Sequence, residues 1–218
     1  MKQLQAVIFD LDGVITDTAE FHYLAWKQLA EELNIPFDRA FNENLKGIGR
    51  LESLELILEH GGIQLSEQEK QRQASIKNDH YKEMIKKITR DDVLPGVRPF
   101  MEEVKHAGLK TGLASASKNV APVIRQLEVQ DLLDTVVNAA EVNQGKPHPE
   151  IFLTAAKQLE IQPEHCVGIE DAQAGVQAIK AANMFAIGVG DSQALKEADW
   201  VVDSPEQLNM SEVKKRFT

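Results

Sequence analysis

The chain has 218 residues, 43% hydrophobic and 27% charged, with 24 Lys and Arg against 34 Asp and Glu for a net charge of −10. That length buries a full core in one or two domains. The acidic balance argues against nucleic acid or an anionic membrane as the main partner, because both need a basic footprint, while a phosphorylated metabolite needs only a few local cations.

Met1-Lys2-Gln3-Leu4-Gln5 runs straight into a strand pattern with no signal-peptide core, and no apolar run approaches the roughly 20 residues of a membrane span. The single cysteine, Cys166, rules out an intrachain disulfide and fits a reducing cytoplasm. It precedes Val167-Gly168-Ile169 and reads as a buried structural thiol. A cytoplasmic protein is expected.

Ala6-Val7-Ile8-Phe9 is a short apolar run ending in a polar loop, the pattern of a central parallel strand buried on both faces. From Thr18 to about Asp92 the patterns are all helical: Ala19–Leu33, Leu51–His60 and Ser66–Ile88, punctuated by Asn34-Ile35-Pro36 and Gly61-Gly62. The strand phrase then returns at Thr111–Ala114, Val167–Ile169 and Phe185–Gly188, and more weakly at Thr135–Val137 and Trp200–Val202. Helical patterns at Val97–Ala107, Val120–Leu127, Ile151–Leu159 and Ala172–Ala182 separate them. This alternation predicts an α/β fold with a doubly wound, Rossmann-like parallel sheet and an inserted α-helical domain. The expected boundaries are 1–15 and 93–218 for the core and 16–92 for the insertion.

Open α/β sheets bind ligands beyond the carboxyl ends of their strands. The polar residues there are Asp10 and Asp12 after the first strand, Ser115 and Ser117 after the second, Lys146 after the weak third, and Glu170-Asp171 after the fourth. Crowded carboxylates repel unless protons or a cation relieve them, and a hard divalent ion such as Mg²⁺ suits oxygen ligands. Lys146 supplies a point charge for phosphate, and Ser115 a donor to a phosphate oxygen. An aspartate can attack phosphorus, in a reaction that is mostly positioning and charge neutralisation. The competing explanations are a solvated turn for Asp10 and Asp12, helix capping for Glu170-Asp171 and Ser117, and a surface position for Lys146. His106, His148 and His165 read as exposed helix or loop positions. The sequence has no GxxxxGK[ST], HExxH or GxSxG motif.

Asp10-Leu11-Asp12-Gly13-Val14, Ser115, Lys146 and Gly168-Ile169-Glu170-Asp171 resemble the four motifs of the haloacid dehalogenase-like phosphotransferases, and the helical insertion is similar to their cap. Asp12–Glu20, Leu45-Lys46-Gly47, Arg50 and Leu113–Asn119 resemble the sugar-phosphate mutases within that family. The resemblance implies interconversion of β-glucose 1-phosphate and glucose 6-phosphate, through an aspartyl-phosphate and a glucose bisphosphate, in maltose- or trehalose-type carbohydrate metabolism. It implies Asp10 as nucleophile and Asp12 as general acid/base. Mg²⁺ would sit on Asp10, the Asp12 carbonyl and Asp171, with Glu170 beside it or behind it. Ser115 and Lys146 would grip the transferring phosphate, Thr18 would lie at the hinge, and His22 would align Asp12. Arg50, Ser117, Lys118 and Asn119 would hold the second phosphate, beside Ala116. Trp26, Lys46, Gly47, Ser53 and Lys77 would shape the sugar pocket. For Trp26, His22, Lys46 and Lys77, ordinary packing, hydrogen bonding or solvation competes with these roles. Gly49 before Arg50 and His148 after Pro147 depart from the pattern expected of close relatives.

The implied partners are a small phosphorylated sugar and its bisphosphate, with no nucleic acid or membrane, acting on a monomer. A phosphatase on a sugar phosphate or phosphoglycolate-like substrate would share the first half-reaction. A mutase needs a second anion site, which Arg50 and Lys118 could provide, whereas a phosphatase does not. A non-catalytic phosphate- or metal-binding protein would not need both Asp10 and Asp12.

Overall fold

Every side chain of Ala6–Phe9 (β1) is buried, because this strand lies at the middle of a six-stranded parallel sheet. The computed structural model describes residues 3–217; Met1 and Lys2, which open the expected leaderless start, and Thr218 lie outside them. The other strands are Lys110–Leu113 (β2), Thr135–Val136 (β3), Cys166–Glu170 (β4), Phe185–Val189 (β5) and Trp200–Val202 (β6). Their order is β3-β2-β1-β4-β5-β6, with Phe9 opposite both Leu113 and Ile169. The three central strands therefore end level to within one residue, β4 running on to Glu170. The polar residue following each arrives at the same rim, which is why strand order matters to the chemistry.

Helices cover both faces, as a parallel sheet buried on both sides requires. Val97–His106 (α5), Val120–Gln126 (α6) and Met210–Phe217 (α9) pack with Val7, Phe9 and Ile169. Glu150–Gln158 (α7) and Gln173–Ala181 (α8) pack with Ala6, Ile8 and Cys166 on the other. Cys166 is fully buried, and burial pushes its thiol up to about 12.

Between β1 and α5 lie the helices Ala19–Glu32 (α1), Arg39–Asn42 (α2), Arg50–His60 (α3) and Glu67–Ile85 (α4). Trp26, Leu29, Leu54, Ile57 and Ala74 give them an apolar cluster of their own. Ser66 is the N-cap of α4, trading hydrogen bonds with Glu69 in a capping box, so the helix begins one residue later than the apolar pattern predicts. It also ends at Ile85, before a short 3₁₀ turn at Arg90–Asp92. The two connections between these helices and the sheet run side by side: Thr16 bridges Val93, and its hydroxyl donates to the Asp92 carbonyl at 2.7 Å.

Candidate active site

The loop leaving β1 turns sharply at Gly13, whose φ of +71° is a conformation glycine adopts without strain. A Cβ at that position would collide with the Asp171 carboxylate, so the same glycine lets Asp171 close on the loop. Asp10 is buried; its Oδ1 accepts from Lys146 Nζ at 2.6 Å and its Oδ2 from the Asp12 N–H at 3.0 Å.

Lys146 also donates to Glu170 Oε1, and the second Glu170 oxygen accepts from the Ala172 N–H at 2.9 Å. Burial alone would depress the Lys146 pKa, but Asp10 and Glu170 together override it and hold the ammonium above its ordinary range. Glu170 itself is raised by burial, partly offset by Lys146. Asp171 is pushed well above the usual carboxylate range by burial and by Glu170, Asp10 and Asp12.

Ligand oxygens from Asp10, Glu170 and Asp171 lie within 4.8 Å of one another. The donor set is all carboxylate oxygen, and the repulsion felt by Asp171 is what a hard cation relieves, so these residues fit a divalent metal. Glu170 already spends both oxygens, on Lys146 and Ala172, and so does Asp10, on Lys146 and the Asp12 N–H; Asp171 is the carboxylate of the three whose oxygens accept no hydrogen bond among the described residues.

Asp12 turns its carboxylate away from this cluster. Its Oδ1 accepts from the Thr18 hydroxyl, and its Oδ2 lies 4.0 Å from His22 Nε2. Burial, and then the charge of Asp10, raise it to about 7. His22 is held well below its usual value by burial and by Lys77 and Arg50, so it is neutral at pH 7. Lys77, 2% exposed, has Nζ 2.8 Å from His22 Nδ1 and 4.5 Å from the centre of the Trp26 ring. Its pKa falls far below that of a free lysine, first through burial and then through Arg50.

A cleft of about 510 Å³ separates the helical segment from the sheet rim. Asp10, Asp12, Ser115, Lys146 and Asp171 line its floor; His22, Trp26, Lys46, Gly47, Arg50, Ser53 and Lys77 its roof; and Ala116, Ser117 and Lys118 one flank. Lys46 pairs with Glu43 at 2.9 Å, and Lys77 is buried, not solvated. Thr18, Asn119 and Glu170 are not on the cleft wall. Asn119 donates its side-chain amide to Asn78 Oδ1 at 2.7 Å, joining the loop after β2 to α4. The N-cap of α6 is Asn119, so Ser117 does not cap it; its Oγ accepts from the Asn119 N–H at 3.2 Å. His148 and His165 are half-buried, the latter against the Gln3 carbonyl, so that of the three expected at exposed positions His106 alone is exposed.

Tyr81 and Asn78 are absent from the residues expected at the site. Tyr81 is fully buried and packs against His22, with ring centres 4.1 Å apart and planes tilted by 33°. Its phenol oxygen is 3.1 Å from the Thr18 hydroxyl. The available signal was spacing: Lys77, Asn78 and Tyr81 share one face of α4.

A parallel sheet carrying two aspartates, a serine, a lysine and an acidic pair at successive strand ends, roofed by a helical segment, defines an aspartate-based phosphotransferase. A model of the haloacid dehalogenase-like hydrolases matches residues 4–183, and the chain belongs to that family. It is 49% identical to the β-phosphoglucomutase of Bacillus subtilis (strain 168), over 95% of this chain and 92% of that protein. A crystal structure of β-phosphoglucomutase from Clostridium difficile superimposes with a TM-score of 0.97 at 48% identity, covering 99% of this chain and 97% of the other. A phosphorylated carbohydrates phosphatase from Thermotoga maritima is 32% identical over 94% of this chain and 96% of its own length.

Proposed function

We propose that the chain is a β-phosphoglucomutase, interconverting β-glucose 1-phosphate and glucose 6-phosphate, with residues 16–92 as its cap. The observation that carries this reading is the pair Arg50 and Lys118, two cations in the cleft wall that take no part in the Lys146 grip on Asp10. A phosphatase needs one anion site; an enzyme that turns a bisphosphate end for end needs two. Similarity to the Bacillus subtilis enzyme supports the same choice.

In this mechanism the phosphorylated Asp10 faces the free hydroxyl of a sugar monophosphate held by Arg50 and Lys118. The hydroxyl oxygen attacks phosphorus, the Asp10–phosphorus bond breaks, and the hydroxyl proton passes to Asp12. The bisphosphate then reverses. Its other phosphate transfers to Asp10 as Asp12 returns the proton to the departing oxygen. An Asp12 pKa near 7 suits a group that must both take and give a proton. Ser115 and Lys146 steady the moving phosphoryl group, and Trp26, Lys77 and Ser53 enclose the sugar. Asp10, the Asp12 carbonyl and Asp171 would hold Mg²⁺, with Glu170 behind them. The ion supplies charge neutralisation at the phosphoryl oxygens.

We place the enzyme in the cytoplasm as a monomer, taking its substrate from breakdown of maltose- or trehalose-type disaccharides. The deciding assay supplies Mg²⁺, β-glucose 1-phosphate and a trace of glucose bisphosphate, and follows glucose 6-phosphate and inorganic phosphate together. Isomer without matching phosphate release is expected; phosphate release alone would overturn the mutase reading.

A further inference from the structure

In the loop between β3 and α7, Lys146 is the one buried residue from Asn143 to Pro149; Asn143, Gln144 and Pro147 are exposed and the others half-buried. Apolar packing therefore does not place this loop, yet it delivers Lys146 Nζ between Asp10 and Glu170. What holds it is the first residue of the following helix. Glu150 opens α7 and turns its carboxylate back over the loop. Its Oε1 accepts from the Asn143 N–H at 2.9 Å and from the Asn143 side-chain amide at 3.0 Å, and its Oε2 accepts from the Gln144 N–H at 2.9 Å. These bonds, led by that from the Asn143 N–H, hold the Glu150 carboxyl below the usual range, so it is ionised at neutral pH.

The return limb is tied as well. The His148 N–H donates to the Gly145 carbonyl at 2.9 Å, and the Glu150 N–H to His148 Nδ1 at 3.3 Å. Ile151 and Phe152, the next residues of α7, are buried in the core, and Lys146 Nζ lies 5.1 Å from the centre of the Phe152 ring. The helix is thus fixed to the sheet by its apolar face, and Glu150 passes that fixed position to the loop.

We infer that Glu150 is a positioning residue for Lys146: its carboxylate anchors the loop at Asn143 and Gln144 and so sets where the Lys146 ammonium meets Asp10 and Glu170. Three charge-assisted bonds on one carboxylate are a stiffer anchor than an exposed loop supplies by itself. Gly145 alone separates the last anchored N–H from Lys146, so slack at the anchor passes directly to the ammonium.

The inference rests on the reading of Lys146 as the group that steadies the phosphoryl moving onto Asp10, and the test separates the two. Glu150→Gln keeps the shape of the side chain and replaces one acceptor oxygen with an NH2 that faces an N–H. In the full-length protein with Mg²⁺, an Asp10 oxygen attacks the phosphorus of acetyl phosphate as acetate departs, and intact mass follows the adduct. E150Q should slow this step by about tenfold, and kcat for isomerisation by a similar factor, with KM for the sugar phosphate changed less than about threefold. In a Lys146→Ala background the same substitution should change the rate less than about twofold, because it acts through the missing ammonium. Trace acylation by acetic anhydride, read by peptide mass, reports seating without turnover. Lys146 should label about threefold faster or more in E150Q, while Lys77, equally buried in the helical segment, labels at its wild-type rate.

E150Q at the wild-type rate overturns the inference. So does an equal loss in the Lys146→Ala background, and so does a rise in labelling shared by Lys77, which marks general loosening. A Lys146→Ala protein that phosphorylates Asp10 at full rate overturns the reading of Lys146 instead. The labelling contrast between Lys146 and Lys77 then still decides whether Glu150 seats that side chain.

Discussion

The Glu170 carboxylate fills the space in which a side chain on Gly175 would begin: a Cβ added there would overlap it outright. Glu170 is the second of the two carboxylates that hold Lys146, the other being Asp10. Gly175→Ala is therefore expected to displace Glu170 and loosen the Lys146 clamp. Activity should fall by about tenfold or more, and overpacking should cost about 1–3 kcal/mol of stability. Shortening the acid relieves the overlap, so Gly175→Ala with Glu170→Asp should recover part of the lost rate. A fully active G175A enzyme would show that the clamp tolerates a shifted Glu170.

Asp10→Asn removes the attacking carboxylate while leaving Lys146 its bond to Glu170. No phospho-adduct should form on incubation with acetyl phosphate or glucose bisphosphate, and isomerisation should drop below detection. Intact mass spectrometry reads the first and a coupled assay the second. Retention of an adduct in D10N would move the nucleophile elsewhere.

The sheet and the four strand-end clusters were legible because β1, β4 and β5 are largely apolar runs and the loops beyond the central strands open on chemically distinctive residues. Residues 6–9 and 166–170 carry that signature without interruption, and the structure departs from the expected strand boundaries by about one residue, as hydrogen-bond definitions allow. The roof was legible only as helices. Periodicity identifies which side of α4 is apolar, but Lys77 and Tyr81 carry polar atoms on that buried side, and which partners they meet depends on how two distant segments dock. Asn119 illustrates the same limit: motif position suggested an anion ligand, whereas its side-chain amide reaches Asn78, 41 residues earlier in the chain. Gly175 was invisible for a different reason, since a glycine inside a helix signals a close approach without saying to what.

Metal removal should be felt in stability as well as in rate. Asp171 has its pKa raised in the folded, metal-free protein by burial and by three neighbouring carboxylates. A raised folded pKa contributes stability that is present below the unfolded value of 3.8 and lost as pH rises through the folded one. The metal-free protein therefore loses stability as pH rises from 3.8 through the raised folded value. Mg²⁺ cancels that repulsion and binds the deprotonated form, so its thermal shift should grow with pH over the same window. Asp171→Asn should flatten the dependence. An Mg²⁺ shift of equal size at every pH would argue that Asp171 is already ionised without the metal.

Lys77→Met should raise stability and lower activity together. The amine is buried against Trp26 and Tyr81 with no carboxylate in salt-bridge range among the described residues, and burial, then the charge of Arg50, depresses its pKa. A thioether of similar length removes the desolvation cost and keeps the ring contacts, for a gain of about 1 kcal/mol. The loss is the contact to His22 Nδ1 at 2.8 Å and one cation facing the cleft. Calorimetry and steady-state kinetics on one preparation test both halves, and a less stable K77M protein would mean the His22 contact outweighs the buried amine.

Arg50 gives the sharpest separation of isomerisation from hydrolysis. It is half-buried at the start of α3, has no ion pair among the described residues, and is lowered in pKa by burial. An unpaired, partly desolvated guanidinium facing a cleft is primed for a planar anion with two oxygens, and Lys cannot reproduce the two-pronged contact. Arg50→Lys should raise KM for the bisphosphate by about tenfold, roughly 1.4 kcal/mol of lost binding. Self-phosphorylation of Asp10 by acetyl phosphate makes no use of the second anion site and should be unchanged. With the sugar phosphate held less firmly, water competes better for the aspartyl-phosphate, so the ratio of inorganic phosphate to glucose 6-phosphate should rise. If R50K instead slowed both reactions alike, Arg50 would be acting on the shared transferring phosphate, and the second anion site would have to rest on Lys118.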